Sequence, residues 1–296
     1  MGSGHGEIDF KLYRYTPSLA AAILFIVLFV LITAYHLYQV IRAKSWYFLI
    51  FVVGGVFQII GYICRVLAHS DKENVPIYAI QTLMILLAPP LYAASIYMTL
   101  GRLIRYLNAE HLSLVPVKWL TRIFVTGDVL SFLMQASGGG IMASGTISAM
   151  NTGEHVTVGG LCVQLVFFGV FVIASIIFHL RIRKSPTSVS LAAPPSASRM
   201  PWNDATWTGT MWGLYTSSVL ILIRSIFRLI EYAQGNDGYL ISHEAFMYVF
   251  DAMLMFFAMI ALSIWHPSKV LKDGKKKKLE EGGEEGEGRE LREVDS

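Results

Sequence analysis

Seven apolar windows, each long enough to cross a bilayer, constrain the fold of this chain more than any other feature. A transmembrane helix needs about 20 mostly apolar residues to cross the hydrocarbon core. Helices can span a bilayer because they satisfy their backbone hydrogen bonds internally. The windows are Pro17–Ile41, Trp46–Ala68, Pro76–Leu100, Lys118–Ser137, Val156–Leu180, Thr206–Ile230 and Ala245–His266. They predict an all-α polytopic membrane protein, a bundle of seven transmembrane helices.

The composition supports this class of protein. Hydrophobic residues make up 54% of the chain and charged residues 15%, with a mean hydropathy of +0.52. A soluble domain carries about 25% charged residues. The net charge of +3 is small, and we predict no nucleic-acid partner. Cys64 and Cys162 both fall inside apolar windows, so we expect small core residues rather than a disulfide or a cysteine metal site.

The distribution of basic residues predicts how the bundle is oriented. Most lysines and arginines outside the windows fall in the loops 42–45, 101–118 and 181–205 and in the carboxyl-terminal tail. Loops rich in lysine and arginine stay in the cytoplasm. The amino terminus is therefore predicted to lie outside and the carboxyl terminus in the cytoplasm.

Three regions follow from this topology. We expect an extracellular segment at 1–16, the transmembrane domain at 17–267 and a disordered cytoplasmic tail at 268–296, because the tail is too polar to bury a core. Lys275–Lys278 in the tail could bind anionic lipid headgroups or could only fix the orientation. The oligomeric state is left open.

Ionisable side chains inside the windows raise the question of function. A charge at the bilayer centre costs about 2.5–3.5 kcal/mol on insertion scales, so it needs a partner or a purpose. Helical spacing groups the polar residues by face: Arg224, Arg228 and Glu231 in the sixth window, Glu244, Tyr248 and Asp251 in the seventh, Asp128 and Gln135 in the fourth, with Arg65 near the outer end of the second. If these faces meet, carboxylates neutralise arginines and line a polar cleft open to the outer leaflet. The alternative is a structural ion-pair network that locks the helices together.

Two further stretches have unusual local chemistry. Pro89 and Pro90 lie in the middle of the third window and should kink the helix, freeing carbonyls that could line a cavity beside Tyr92. The alternative is that small residues there only permit close packing. The segment "ASGGGIMASGTISAM" (136–150) lacks charge and is rich in Gly and Ser. We predict a loop or re-entrant stretch at the outer face, with a simple flexible loop as the alternative.

Motifs for common enzyme chemistry are missing from the sequence. It contains no G-x-x-x-x-G-K-[ST] phosphate loop, no H-E-x-x-H and no G-x-S-x-G. Of the histidines, only His36 lies well inside a window, so a zinc site of the intramembrane hydrolase kind lacks ligands. We therefore expect no enzyme activity, no cofactor and no metal.

Several stretches, taken in order, resemble a fungal family of seven-span membrane proteins, the RTA-like lipid-translocating exporters. The matching stretches are "GYICR" (61–65), "LLAPPLYAASIYMTLGR" (86–102), "DVLSFLMQASGGG" (128–140), "RSIFRLIEYAQGNDGYL" (224–240) and Glu244 with "MYVFDAMLM" (247–255). The resemblance implies multi-pass proteins of the plasma membrane linked to export of sphingoid long-chain bases, to resistance against toxic lipophilic compounds and to porphyrin movement. It carries over to Arg65, Pro89, Tyr92, Arg102, Asp128, Gln135, Arg224, Arg228, Glu231, Glu244 and Asp251.

These observations lead to two hypotheses of different classes. The first is a translocator that binds amphipathic lipids, sphingoid bases first, in the polar cleft. Its substrate-binding candidates are Arg65, Tyr92, Asp128, Gln135, Arg224, Arg228, Glu231, Glu244, Tyr248 and Asp251. A carboxylate would hold an ammonium headgroup while the arginines keep the cluster near neutral. The second is a seven-helix lipid sensor or receptor that regulates lipid asymmetry and resistance to toxic compounds.

Overall fold

The part of the chain that is described is helical throughout. The computed structural model describes residues 18–70, 74–142, 147–192, 206–234 and 238–267. All regular structure within these ranges is helix. The predicted extracellular segment at 1–16 and the predicted tail at 268–296, with Lys275–Lys278, lie outside the described residues.

Long helices account for most of the described chain. They are α1 (Leu19–Ala43), α2 (Leu49–Ser70), α3 (Val75–Tyr106), α4 (Val117–Met142), α5 (Ile147–Lys184) and α7 (Trp207–Ala233). The shorter elements are α6 (Ser188–Ala192), α8 (Tyr239–Ser242), α9 (Glu244–Met247), a π-helical turn (Tyr248–Met253), α10 (Leu254–Ile264) and single 3₁₀ turns at Trp46–Phe48 and Glu110–Leu112. From α9 to α10 the chain forms one run, Glu244–Ile264, called the final helix below.

Six of these helical runs are long and apolar enough to cross a membrane. They are α1, α2 with its preceding turn, α3, α5, α7 and the final helix. The remaining long helix, α4, contains Lys118, Arg122 and Asp128 and four glycines. The structure therefore supports a polytopic helical membrane protein with six candidate spans, whereas the seventh span and the orientation stay predictions.

Side-chain caps define where several helices begin. Ser18 accepts the Ala21 amide at 3.4 Å at the start of α1, and Asn74 accepts the Ile77 amide at 3.2 Å at the start of α3. Thr206 does the same for α7 through the Gly209 amide. Each cap satisfies one of the amides that a helix start leaves without an internal acceptor.

The long helices form a closed ring in chain order, and α3 is the most central. Each long helix packs against the next, and α10 returns to pack against α1. Helix α3 also contacts α5 and α7 across the ring. Its most apolar stretch is 67% buried, against 22% for α1. The interior is therefore built around α3, while α1 keeps a largely apolar outer surface.

The ring has one end rich in basic residues, called the basic end. At that end Thr187 Oγ1 donates to the Leu107 carbonyl at 2.8 Å and Arg181 donates to the Leu112 carbonyl at 3.2 Å. These bonds place the end of α5 beside the end of α3. The basic residues of this end are Arg42, Lys44, Arg102, Arg105, Lys118, Arg181, Arg183 and Lys184.

The glycine-rich segment after the fourth window is mostly helical, so the predicted loop at 136–150 is wrong. Helix α4 continues to Met142 and α5 begins at Ile147. A Cβ on Gly138 would lie 2.6 Å from the Gly153 carbonyl oxygen, and one on Gly153 would lie 2.9 Å from the Met142 amide nitrogen. These glycines therefore allow the backbones of α4 and α5 to pack closely, a common use of small residues between membrane helices.

Both cysteines are free, and they differ in burial. Cys64 on α2 is buried, whereas Cys162 on α5 is exposed. The prediction that both are core residues is therefore right for Cys64 and wrong for Cys162.

Candidate functional site

A polar cluster joins the starts of α1 and the final helix to α2. Arg65 is 1% exposed; its Nη2 lies 2.7 Å from Glu244 Oε1 and its Nε donates to the Tyr248 hydroxyl at 3.1 Å. The Arg65 guanidinium also lies 5.3 Å from the centre of the Tyr248 ring. The Ser18 amide donates to both oxygens of Glu244 at 2.9 Å. One carboxylate therefore connects three helices.

A second cluster lies deeper and joins α7 to the π-helical turn. Asp251 accepts from Arg224 Nε, and its other oxygen lies 3.8 Å from Arg228 Nη2. Arg228 also donates to Glu231 at 2.8 Å. All four side chains are at most 8% exposed. The predicted meeting of the polar faces of the sixth and seventh windows is therefore seen in the structure.

Pro89 contributes to this cluster through the backbone. A proline has no amide hydrogen, so Pro89 leaves the carbonyl of Ile85, four residues earlier, without its helical donor. Arg224 Nη2 donates to that carbonyl at 3.3 Å. Helix α3 runs on through Pro89 and Pro90. The predicted freeing of a carbonyl is thus seen, and its partner is the buried arginine of α7.

The first two clusters are balanced in charge. They contain three arginines and three carboxylates, and each arginine pairs with at least one carboxylate. Glu244 is the most accessible member, with 16% of its side chain exposed. This pairing fits the alternative interpretation of a structural ion-pair network. The open cleft stays a prediction.

Asp128 and Gln135 belong to a third cluster, apart from the first two, on the side of α4 that faces α3 and α5. Asp128 is 3% exposed and accepts from the Tyr97 hydroxyl at 2.9 Å. Gln135 donates to the Gln164 side chain of α5 at 3.1 Å. None of the ion pairs among the described residues includes Asp128. It therefore differs from Glu231, Glu244 and Asp251, which all have arginine partners.

Tyr92 lies outside these three clusters, between α3 and α10. It is fully buried, its hydroxyl donates to Met259 Sδ at 3.3 Å and its ring centre lies 4.6 Å from that of Phe51. A Cβ on Gly54 would lie 2.7 Å from the Tyr92 ring, so this glycine makes room for it. Tyr92 packs in the core at this position and does not contact Arg224 or Asp251 through a hydrogen bond.

Several buried polar residues of the interior were missing from the prediction. Tyr97 and Gln164 hold Asp128 and Gln135. Gln58 and Tyr62 are fully buried, and their side-chain amide and hydroxyl have no hydrogen-bond partner among the described residues. Gln58, Tyr62 and Arg65 are spaced i, i+4 and i+7, so the face argument used for α7 would have found them. Within the described ranges, no three acidic, histidine or cysteine side chains are grouped to hold a metal ion.

The fold and the polar interior together define a multi-pass helical membrane protein with buried, paired charges. The chain belongs to the family described as RTA1 like protein, which matches residues 51–274. That range includes every residue of the three clusters except Ser18. The predicted family resemblance is confirmed.

Named relatives cover most of the chain. It is 37% identical over 293 residues to Protoporphyrin uptake protein 1 of Saccharomyces cerevisiae, covering 87% of this chain and 92% of that protein. It is 32% identical over 270 residues to the probable lipid transporter atnI of Emericella nidulans, and the alignment covers 88% of this chain and 68% of that protein. It is 28% identical over 282 residues to the sphingoid long-chain base transporter RSB1 of Saccharomyces cerevisiae, and the alignment covers 86% of this chain and 73% of that protein. No solved structure matches the chain.

Proposed function

We propose that this protein binds amphipathic lipids, above all sphingoid bases, and translocates or exports them. Two of the relatives carry the names lipid transporter and sphingoid long-chain base transporter. Both alignments run through most of this chain, so the proposal concerns the whole helical domain. We further propose that the protein acts in the plasma membrane, contributes to resistance against toxic lipophilic compounds and is not an enzyme.

The proposed topology has the six long helices and the final helix all crossing the membrane, with the amino terminus outside. The geometry of α4 supports this. Helix α5 ends beside the end of α3, where α4 begins, and Gly153 near the start of α5 packs against Gly138 near the end of α4. Helix α4, with 26 residues, must therefore run antiparallel to the 38-residue α5, from the basic end toward the start of α5. The basic end is proposed to face the cytoplasm, as the positive-inside rule expects.

The observation that carries the proposal is the isolation of the Asp128 carboxylate. A buried charge without a partner is strongly unfavourable. Asp128 has only the Tyr97 hydroxyl, and no arginine or lysine is paired with it in the described chain. The ammonium group of a sphingoid base is a complementary ligand for such a carboxylate. Asp128 is therefore proposed to bind the ammonium headgroup. Gln135 and Gln164 are proposed to bind the hydroxyl groups of the sphingoid base.

The paired clusters are proposed to support this site. Arg65, Arg224 and Arg228 neutralise the carboxylates of α7 and the final helix, so these acids hold the helices in register. Glu244, the most exposed of them, lies where α1, α2 and the final helix meet.

The experiment is lipid movement in liposomes that contain the purified protein. Fluorescent sphingosine carries the ammonium group, and a fluorescent ceramide of matched chain length lacks it. Asp128→Asn should slow movement of sphingosine by about 10- to 100-fold, since a hydrogen bond to a charged group contributes about 1.5–3 kcal/mol. Movement of the ceramide should change little.

Two controls make the result specific. Tyr97→Phe removes the hydroxyl partner and keeps the carboxylate, so it should slow sphingosine less than Asp128→Asn does. Glu110→Gln removes an exposed acid from the surface pair with Arg105 and should have no effect. Equal movement of sphingosine by wild type and Asp128→Asn would contradict the role of Asp128. Binding of sphingosine without movement would favour the sensor hypothesis.

A further inference from the structure

A cavity opens between the end of α3 and the start of α4, away from the three polar clusters. Its volume is about 200 Å³, and it is lined by Met98, Gly101, Arg102 and Arg105 of α3 and by Val117 and Thr121 of α4. Two arginines and a threonine therefore line it together with the apolar side chains of Met98 and Val117. A pocket for a whole drug-sized molecule has about 300–1,000 Å³, so this space suits a headgroup rather than a complete lipid.

The two arginines leave most of their donors available to a ligand. The Arg102 guanidinium lies 4.0 Å from the centre of the Tyr47 ring, a contact that uses its face and leaves its edge free. Arg105 pairs with Glu110 at 3.5 Å, and both side chains are more than half exposed. An exposed ion pair of this kind is weak. Arginines present several donors in a plane that matches the oxygens of a phosphate.

The position of the cavity along the bundle corresponds to a membrane surface. It lies at the basic end, where Trp46, Trp119 and Trp212 are 55–63% exposed. Exposed tryptophans collect at the level of lipid headgroups. Anionic lipids attract basic residues at this depth, by about 1 kcal/mol for each lysine or arginine.

We propose that this cavity, called the α3–α4 anion site, binds the phosphate headgroup of an anionic membrane lipid. Arg102 and Arg105 hold the phosphate oxygens, and the Thr121 hydroxyl donates to one of them. Glu110 competes for Arg105 when the site is empty. The site is independent of lipid translocation and can be tested by binding alone.

The test uses the full-length protein in neutral detergent and isothermal titration calorimetry. The probes are dioctanoyl phosphatidic acid, dioctanoyl phosphatidylcholine and inorganic phosphate. The wild type should bind phosphatidic acid about tenfold or more tightly than phosphatidylcholine. Inorganic phosphate binding as tightly as phosphatidic acid would show a site for a soluble anion and overturn the assignment to a lipid.

Two double variants that remove the same charge distinguish binding in the cavity from nonspecific attraction to the basic end. Arg102→Gln with Arg105→Gln should weaken binding of phosphatidic acid by about tenfold or more. Lys118→Gln with Arg122→Gln removes the same charge from residues that do not line the cavity, and should weaken it by less than about threefold. Equal weakening by the two pairs, or none by the first, overturns the proposal.

Two single changes test the site without removing its arginines. Glu110→Gln frees Arg105 and should tighten binding by about threefold. A Cβ on Gly101 would meet Val117 and Thr121 at ordinary contact distances, 3.6 and 3.9 Å, so Gly101→Leu should extend into the cavity and abolish binding with all charges intact. Unchanged binding in Gly101→Leu contradicts the location of the site, even where the double arginine variant does not fold.

Discussion

Asp251 is the residue on which the deeper cluster depends, because it faces two arginines at once. Arg224 and Arg228 both approach its carboxylate, and only Arg228 has a second acid, Glu231. Loss of Asp251 would leave Arg224 with one remaining acceptor among the described residues, the Ile85 carbonyl. A buried charge that loses its partner is far more costly than a pair removed together.

Asp251→Asn should therefore destabilise the protein severely. Breaking a buried pair costs about 3–5 kcal/mol, whereas Glu110→Gln in the exposed pair with Arg105 should cost less than about 1 kcal/mol. Thermal unfolding in detergent measures both. Asp251→Leu combined with Arg224→Leu should recover part of the loss, since neither charge is then left alone. A double variant less stable than Asp251→Asn would contradict this account.

The coupling between Pro89 and Arg224 can be measured in a double-mutant cycle. Pro89→Ala returns an amide that competes with Arg224 for the Ile85 carbonyl. Its effect on the free energy of unfolding should differ between the wild type and an Arg224→Met background by about 0.5–3 kcal/mol, the usual range for contacting residues. Pro90→Ala returns an amide to the Leu86 carbonyl, which Arg224 does not use, and should show no coupling. Additive effects for Pro89 would argue against the contact.

Pairs of helices also carry specific constraints, and the α4–α5 pair has the clearest. Gly138 and Gly153 lie where a Cβ would meet backbone atoms of the other helix within 3 Å, whereas Gly139 and Gly140 have nothing within 4 Å. Gly153→Leu should destabilise the protein by more than about 3 kcal/mol, as overpacking does at its upper range. Gly139→Ala should stabilise it by about 0.5–1 kcal/mol through helix propensity. Thermal unfolding in detergent compares the two, and tolerance of Gly153→Leu would contradict the close contact.

The sequence predicts the helices well, and their partners only in part. Apolar windows locate the long helices, and spacing places Arg224, Arg228 and Glu231 on one face, as found. Spacing does not say which helix that face meets. Spacing alone predicts that Asp128 shares one cleft with the other acids. In the structure α4 lies between α3 and α5, so Asp128 is separated from them. The π-helical turn that contains Asp251 has no sequence signal comparable to a cap or a proline, although such turns often occur at functional sites.

At the scale of the whole molecule, the ring of helices separates two kinds of polar interior. The paired charges lie among α2, α7 and the final helix, whereas Asp128 lies among α3, α4 and α5. Helix α3 touches both regions, through Ile85 on one side and Tyr97 on the other. A change in one region can therefore reach the other through α3. Under the proposed function, the paired charges form the stable half and the region around Asp128 forms the ligand-binding half.

Accessibility of single cysteines tests the proposed topology, in which α4 crosses the membrane and the basic end lies in the cytoplasm. In a background with Cys64 and Cys162 replaced by serine, His111→Cys lies at the basic end and Asn151→Cys near the start of α5, both exposed. An impermeant maleimide should label Asn151→Cys in intact cells and His111→Cys only after permeabilisation, because α4 between them crosses the membrane with its basic end in the cytoplasm. Labelling of both from one side would mean that α4 does not cross. Labelling of His111→Cys alone from outside would reverse the orientation and move the α3–α4 anion site to the outer leaflet.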